Sequence, residues 1–240
     1  MSDDARGQGE APSWPEYFAR QTQACRTPAL KRFYAAGLPA ADTPIANASL
    51  LALDFETTGL DPHRHAIVSI GMVPFNLRSI RPAAGRYWVI KPQRPLREES
   101  IAFHRITHSE VEHAPPFEAV LDDILASLAG HLVVVHYRNI ERPFLDAAVM
   151  AALGEHCLFP LIDTMALEAR HERIDRWRRL KRFLGVQPTS IRLADSRERY
   201  GLPAYSSHHA KVDAMATAEL FQAQIARHYS PDTPVSELWL

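Results

Sequence analysis

The chain has 240 residues, 46% of them hydrophobic, enough to bury one substantial core with some length left for an appendage. Its 27 Lys and Arg stand against 28 Asp and Glu, so a formal charge of −1 gives no global pull toward a polyanion, and any affinity for nucleic acid must reside in a local patch. Cys25 and Cys157 lie far apart without Cys-x-x-Cys spacing, which argues against a disulfide framework or a structural zinc site. No apolar run approaches a membrane span, and the polar start, Met1 to Gln8, lacks the apolar region of a signal peptide, so the expectation is a reduced, cytoplasmic protein.

Residues 1–12 are polar and read as a disordered lead-in. From there Trp14, Tyr17, Phe18, Leu30, Phe33 and Tyr34 recur at helical spacing, which predicts two short helices broken at Pro28 and stopped near Gly37. These helices either pack their aromatics on the main domain or form an arm for a protein partner. Pro39 to Ala48 reads as a linker. The division expected is an extension over residues 1–46, a main domain over 47–230 and a tail over 231–240, whose Leu238, Trp239 and Leu240 are suited to docking.

Within the main domain, Leu50 to Phe55, Ala66 to Val73 and Arg86 to Lys91 read as strands, with the turn-rich Pro74 to Gly85 between the last two, so a meander of antiparallel neighbours is expected. Thr107-His108-Ser109-Glu110 has the form of a capping box. Phe117, Val120, Leu121, Ile124, Leu125 and Leu128 mark an amphipathic helix that Gly130 can end. A buried strand at His131 to Val135, a helix over Ile140 to Leu153 and a strand at Leu158 to Asp163 follow, and this order implies an α/β fold with a mixed sheet covered by helices. From Arg170 to Arg182 basic residues dominate, either as a solvated helix face or as a contact for phosphates, with Trp177 available for base stacking. The last helix starts near Asp213 and runs to about His228.

Chemistry concentrates in Leu51-Ala52-Leu53-Asp54-Phe55-Glu56-Thr57-Thr58-Gly59-Leu60. Side chains alternate along a strand, so Asp54 and Glu56 share a face. Two adjacent carboxylates in an apolar run repel unless a cation lies between them, and an all-oxygen donor set suits Mg²⁺ or Mn²⁺. Asp-Phe-Glu-Thr-Thr-Gly-Leu resembles the first motif of the DEDD superfamily of 3′→5′ exonucleases, in particular the His-using branch that includes the proofreading epsilon subunit of bacterial DNA polymerase III. Val135-His136-Tyr137-Arg138-Asn139-Ile140-Glu141-Arg142-Pro143-Phe144-Leu145 resembles the second motif, with Glu141 where members usually carry Asp. Asp146 is a substitute for Glu141, but five residues along a helix it is turned toward a different face. Ser207-His208-His209-Ala210-Lys211-Val212-Asp213-Ala214 resembles the third motif, with His208 five residues before Asp213 and His209 as the second choice of base.

The resemblance implies a ribonuclease H-like fold and metal-dependent 3′→5′ hydrolysis that releases nucleoside 5′-monophosphates. It implies two Mg²⁺ or Mn²⁺ ions about 4 Å apart. Asp54 would bridge them, Glu56 and Asp213 would complete the first site, and Glu141 would help position the second. His208 would act as the general base. Thr57, Thr58 and Leu60 would hold the terminal nucleotide, and His104 with Arg105 would border the groove. The substrate implied is a nucleic acid with a free 3′ end, single-stranded DNA above all, read with little sequence preference. The competing reading is a catalytically weakened nucleic-acid-binding or scaffold module of the same fold, marked by Glu141. His63 with His65, or His104, His108 and His113, could be taken for zinc ligands, but no Cys accompanies them and their surroundings are loop-like.

Overall fold

The computed structural model of the protein describes residues 13–92, 106–174 and 190–240. In chain order the elements are α1 (Trp14–Ala24), α2 (Pro28–Ala35), β1 (Leu50–Thr57), β2 (Ile67–Phe75), β3 (Arg86–Val89), α3 (His108–Glu112), α4 (Phe117–Leu128), β4 (Leu132–Val135), α5 (Glu141–Leu153), β5 (Leu161–Asp163), α6 (Thr164–Ile174), α7 (Leu193–Arg199) and α8 (Ala210–His228). The expected meander is present: β1 pairs antiparallel with β2, and β2 with β3. On the other side β1 runs parallel to β4, and β4 to β5. The sheet order β3-β2-β1-β4-β5 is that of the mixed, ribonuclease H-like sheet the motifs imply.

Period-two alternation divides β1 between two cores. Leu51, Leu53 and Phe55 enter one apolar cluster with α2, α4 and α5, while Leu50 and Ala52 enter a second with Ala214, Ala218, Phe221 and Ile225 of α8. Each fully buried Leu or Ile contributes about 2 kcal/mol through water exclusion. Asp54 and Glu56 continue the Leu50–Ala52 row. They stand on the face that α8 covers.

Several expectations needed adjustment at their edges. The break expected at Pro28 is present: α1 ends at Ala24, and Pro28 occupies the first turn of α2, where its missing N–H is harmless. Strand pairing carries β1 on to Thr57 and β2 on to Phe75, whereas β3 ends at Val89 and β5 starts only at Leu161. Helix α8 begins at Ala210, which leaves Asp213 in its first turn. The capping box at Thr107 is formed, with Thr107 Oγ1 accepting from the Glu110 N–H at 3.3 Å and the Glu110 carboxylate accepting from the Thr107 N–H at 2.8 Å.

Phe18, Leu30, Phe33 and Tyr34 of the N-terminal helices are buried in the same cluster as Leu51 and Leu53. The Glu155 carboxylate latches this pair to the body by accepting from the N–H groups of Arg26 at 2.7 Å and Thr27 at 3.0 Å, at the positive end of α2. After α8, Val235 and Leu238 are buried in the α8 cluster, and the Leu240 N–H donates to the Leu161 carbonyl at 2.8 Å. Cys25 and Cys157 are both buried and free. Among the described residues no helix is long and apolar enough to cross a membrane.

Candidate active site

The carboxylates of Asp54, Glu56 and Asp213 meet at one end of the sheet, each offering an oxygen within 4.8 Å of the other two. Strand alternation supplies the first two. The third arrives because α8 begins directly above β2. In the β1–β2 register Asp54 lies opposite Gly71, and a Cβ at Gly71 would stand 2.2 Å from the backbone of Ala210 and Lys211. Only glycine lets the helix come this close. The β1–β2 register shifts between Glu56 and Thr57, next to the acids.

Each acid shows the cost of this convergence. Burial, and then the charges of Asp213, Glu141 and Glu56, hold the Asp54 carboxyl well above the usual carboxylate range. Burial and Asp213 push Glu56 up to about 7. Burial also raises Asp213, opposed by the backbone N–H of His209, which donates to its carboxylate, and by the nearby Tyr205 hydroxyl and His208. The His209 N–H lies 3.0 Å from Asp213 Oδ2.

Glu141 opens α5 and is 2% exposed. Its oxygens are outside the group of three, yet its charge reaches Asp54. Burial, with Asp163 nearby, raises its carboxyl well above the normal range, and its Oε2 is buried with no hydrogen-bond partner. Asp146 has other work: it accepts from the Cys157 N–H at 2.8 Å and pairs with His156 Nδ1 at 3.0 Å. His208 is exposed on the loop before α8 with φ 70°, close enough to Asp213 to favour its ionised form. The His209 ring is stacked on Tyr87 with centroids 4.4 Å apart.

Thr57 and Thr58 shape the loop after β1. The Thr57 hydroxyl donates to the Gly59 carbonyl at 2.7 Å, and Thr58 exchanges bonds with Ala66, accepting from its N–H at 3.0 Å. A Cβ at Gly59 would meet the His65 ring at 2.5 Å. Leu60 is 78% exposed, and with Tyr137 at 41% it stands out among the large apolar side chains of the described residues. His104, Arg105, Trp177 and the greater part of the basic run lie outside the described residues.

Four features escaped the sequence reading. Gly71 inside an apolar strand is a recognisable sign of close backbone approach. Tyr205 has no such sign, because its link to Asp213 depends on how the loop before α8 folds. Nor does Arg197, one of two arginines in a short charged helix. Tyr137, at the position after His136, has φ 87°, a strained conformation for an aromatic residue. It is held by Asp163, which accepts from the N–H groups of Tyr137 at 3.0 Å and Arg138 at 3.2 Å.

The donor set fits a hard divalent cation. It is all carboxylate oxygen, no lysine or arginine offsets the charges of Asp54 and Glu56, only the His208 imidazole eases Asp213, and Glu141 carries an orphaned oxygen.

A family profile described as Exonuclease, of the RNase T type, matches residues 51–221. The chain is 32% identical over 180 residues to the PolC-type DNA polymerase III of Thermotoga petrophila, covering 75% of this chain but only 12% of that far longer protein. It is 26% identical over 182 residues to the DNA polymerase III subunit epsilon of Treponema pallidum, covering 76% of this chain and 79% of the relative. Among solved structures, the nuclease domain of 3′hExo, a DEDDh family member bound to rAMP, superposes with a TM-score of 0.60 at 16% identity, over 75% of this chain and 92% of that one. At that identity the likeness shows the fold.

Proposed function

The chain belongs to the RNase T-type exonuclease family, and from that premise we propose that it hydrolyses the terminal phosphodiester bond at the 3′ end of a nucleic acid, releasing nucleoside 5′-monophosphates. The observation that carries this reading is the meeting of Asp54, Glu56 and Asp213 within 4.8 Å, with the charge of Glu141 felt at Asp54.

Asp54, Glu56, Asp213 and Glu141 would hold two Mg²⁺ or Mn²⁺ ions. Bound there, such ions supply neutralisation of the phosphate and of the departing oxygen, and acidify the attacking water. Glu141 is one methylene longer than the family's usual Asp, and its place at the first position of α5 lets that length be absorbed by the side chain. His208 takes the proton from the attacking water. It is exposed and joined to a helix whose first turn carries Asp213, while the His209 ring is committed to Tyr87. Leu60 lies against the terminal base. Thr57 and Thr58 keep the loop that bears it in shape, and their backbone lies toward the terminal nucleotide. His104 belongs to the groove on this reading. Contacts of this kind grip the sugar, the phosphate and a base face rather than base edges, so single-stranded DNA of any sequence is accepted.

The test is a single strand labelled at either end and incubated with Mg²⁺, Mn²⁺ or EDTA. A 3′ label should leave at once as a mononucleotide, a 5′-labelled strand should shorten stepwise, and EDTA should stop both. Binding without mononucleotide release, unaffected by EDTA, would overturn the hydrolase reading in favour of a binding module.

A further inference from the structure

Arg197 is 3% exposed, and the hydrolytic reading makes no use of it. A buried guanidinium is costly unless its donors are met. Here Nη1 donates to the Ala216 carbonyl at 2.8 Å, Nη2 donates to the Pro203 carbonyl at 3.0 Å, and Nη2 also lies 2.6 Å from Glu219 Oε2, while Nε is buried without a partner. These partners come from two segments. Ala216 and Glu219 belong to α8, whereas Pro203 belongs to the loop that leads into it. The guanidinium carbon also lies 4.9 Å from the ring centroid of Tyr205, and the Tyr205 hydroxyl stands near enough to the Asp213 carboxylate to favour its ionised form.

The contacts therefore close a circuit. Helix α8 holds Arg197, Arg197 holds the backbone at Pro203 and the ring at Tyr205, and Tyr205 stands beside Asp213 of α8. The same loop ends in His208, whose left-handed backbone persists only where its surroundings over-determine it. The chemistry asks for arginine. A planar fork can serve two carbonyls and a carboxylate while its face lies against an aromatic ring, and a lysine ammonium can do only part of this. It also asks for a phenol, because a hydroxyl donor satisfies one lone pair of Asp213 and leaves others directed toward Asp54 and Glu56.

We propose that Arg197 and Tyr205 are positioning residues, which fix the Asp213 carboxylate for a divalent cation and brace the loop that presents His208. The proposal rests on the hydrolase reading of the same site. Its test is Mn²⁺ binding, followed by electron paramagnetic resonance on the full chain, beside turnover and thermal melting. Tyr205→Phe keeps the ring over Arg197 and removes only the hydroxyl. It is expected to keep the wild-type Tm while its Mn²⁺ dissociation constant rises about tenfold. Its kcat should fall at low metal and recover with added Mn²⁺, with KM for the oligonucleotide unchanged. Arg197→Lys should show the same weakened Mn²⁺ binding together with a lower Tm, and if it does not fold, Tyr205→Phe decides alone. A Tyr205→Phe protein with wild-type Mn²⁺ affinity overturns the proposal while leaving the hydrolase reading intact. Wild-type protein that neither binds Mn²⁺ nor releases nucleotides overturns both.

Discussion

Glu141 and Glu168 are the same residue type at nearly the same depth, 2% and 5% exposed, yet their surroundings act on them in opposite directions. Burial pushes the Glu168 carboxyl up, but Gln224, Arg199 and Tyr200 all donate to it and hold it below its ordinary value. Its Oε1 lies 3.0 Å from Arg199 Nη2, and its Oε2 lies 2.9 Å from Gln224 Nε2 and 3.1 Å from the Tyr200 hydroxyl. Glu141 has burial and the nearby Asp163 against it, only its own N–H in its favour, and one oxygen with no partner. The fold therefore completes one acid from within and leaves the other open to a charge from outside. Burial of a carboxylate is not in itself a functional sign. What separates the two is whether α6, α7 and α8 bring donors or the strand ends bring more acids.

The sharpest way to break this contrast is Asp54→Asn. Nucleotide release should fall by roughly a thousandfold, because a central carboxylate of the proposed metal site is lost. The metal-free protein should melt higher than wild type, since one source of like-charge repulsion is gone, and Mn²⁺ should stabilise wild type much more than the variant. Turnover and melting curves with and without Mn²⁺ measure this. Glu168→Ala should do the reverse. It removes the carboxylate that Arg199, Gln224 and Tyr200 share, so urea unfolding should show a loss of about 2 to 3 kcal/mol, with turnover per folded molecule unchanged.

The two regions also predict opposite responses to pH. Glu56 is raised from an ordinary 4.5 to about 7, so in metal-free protein its contribution is fully present below pH 4.5 and lost as pH rises through 7. Glu168 is lowered, so its contribution is present above pH 4.5 and lost as pH falls through its folded value. Melting temperature followed from pH 4 to 8 should decline on the alkaline side without metal and flatten with saturating Mn²⁺. In Glu168→Ala the fall on the acid side should shrink. The smallest effect expected is at Tyr137, where φ is 87°. Tyr137→Gly should raise stability by about 1 kcal/mol, since glycine accepts that backbone without strain. An unchanged or lowered urea midpoint would show that Asp163 already holds the loop without cost.

Much of this was legible before any coordinates. Alternation in Leu50–Glu56 placed two acids on one face, and the antiparallel meander followed from where apolar runs and turns fell. Helical spacing separated Glu141 from Asp146, and the structure finds Asp146 bonded to His156 and Cys157. The aromatics at Phe18, Phe33 and Tyr34 could be read as core or as a partner surface, and their spacing alone offered no choice. The structure buries them against β1 and α4. Gly71 escaped that reading, and the helix it admits has no local signal at all. Arg197, Tyr205 and Asp213 are joined by a loop with no periodicity, so nothing in their spacing signals a circuit.

The sequence by itself determined what depends on neighbours along the chain: the pleat that aligns Asp54 with Glu56, the capping box at Thr107, and the motif strings that assign a family. Only the tertiary structure decided which remote carboxylate completes the cluster, which acid is neutralised by donors and which is left bare, and which tyrosine steadies Asp213. These are matters of packing between segments far apart in sequence, where the approach of α8 to within contact of Gly71 sets the distances and no local preference encodes them.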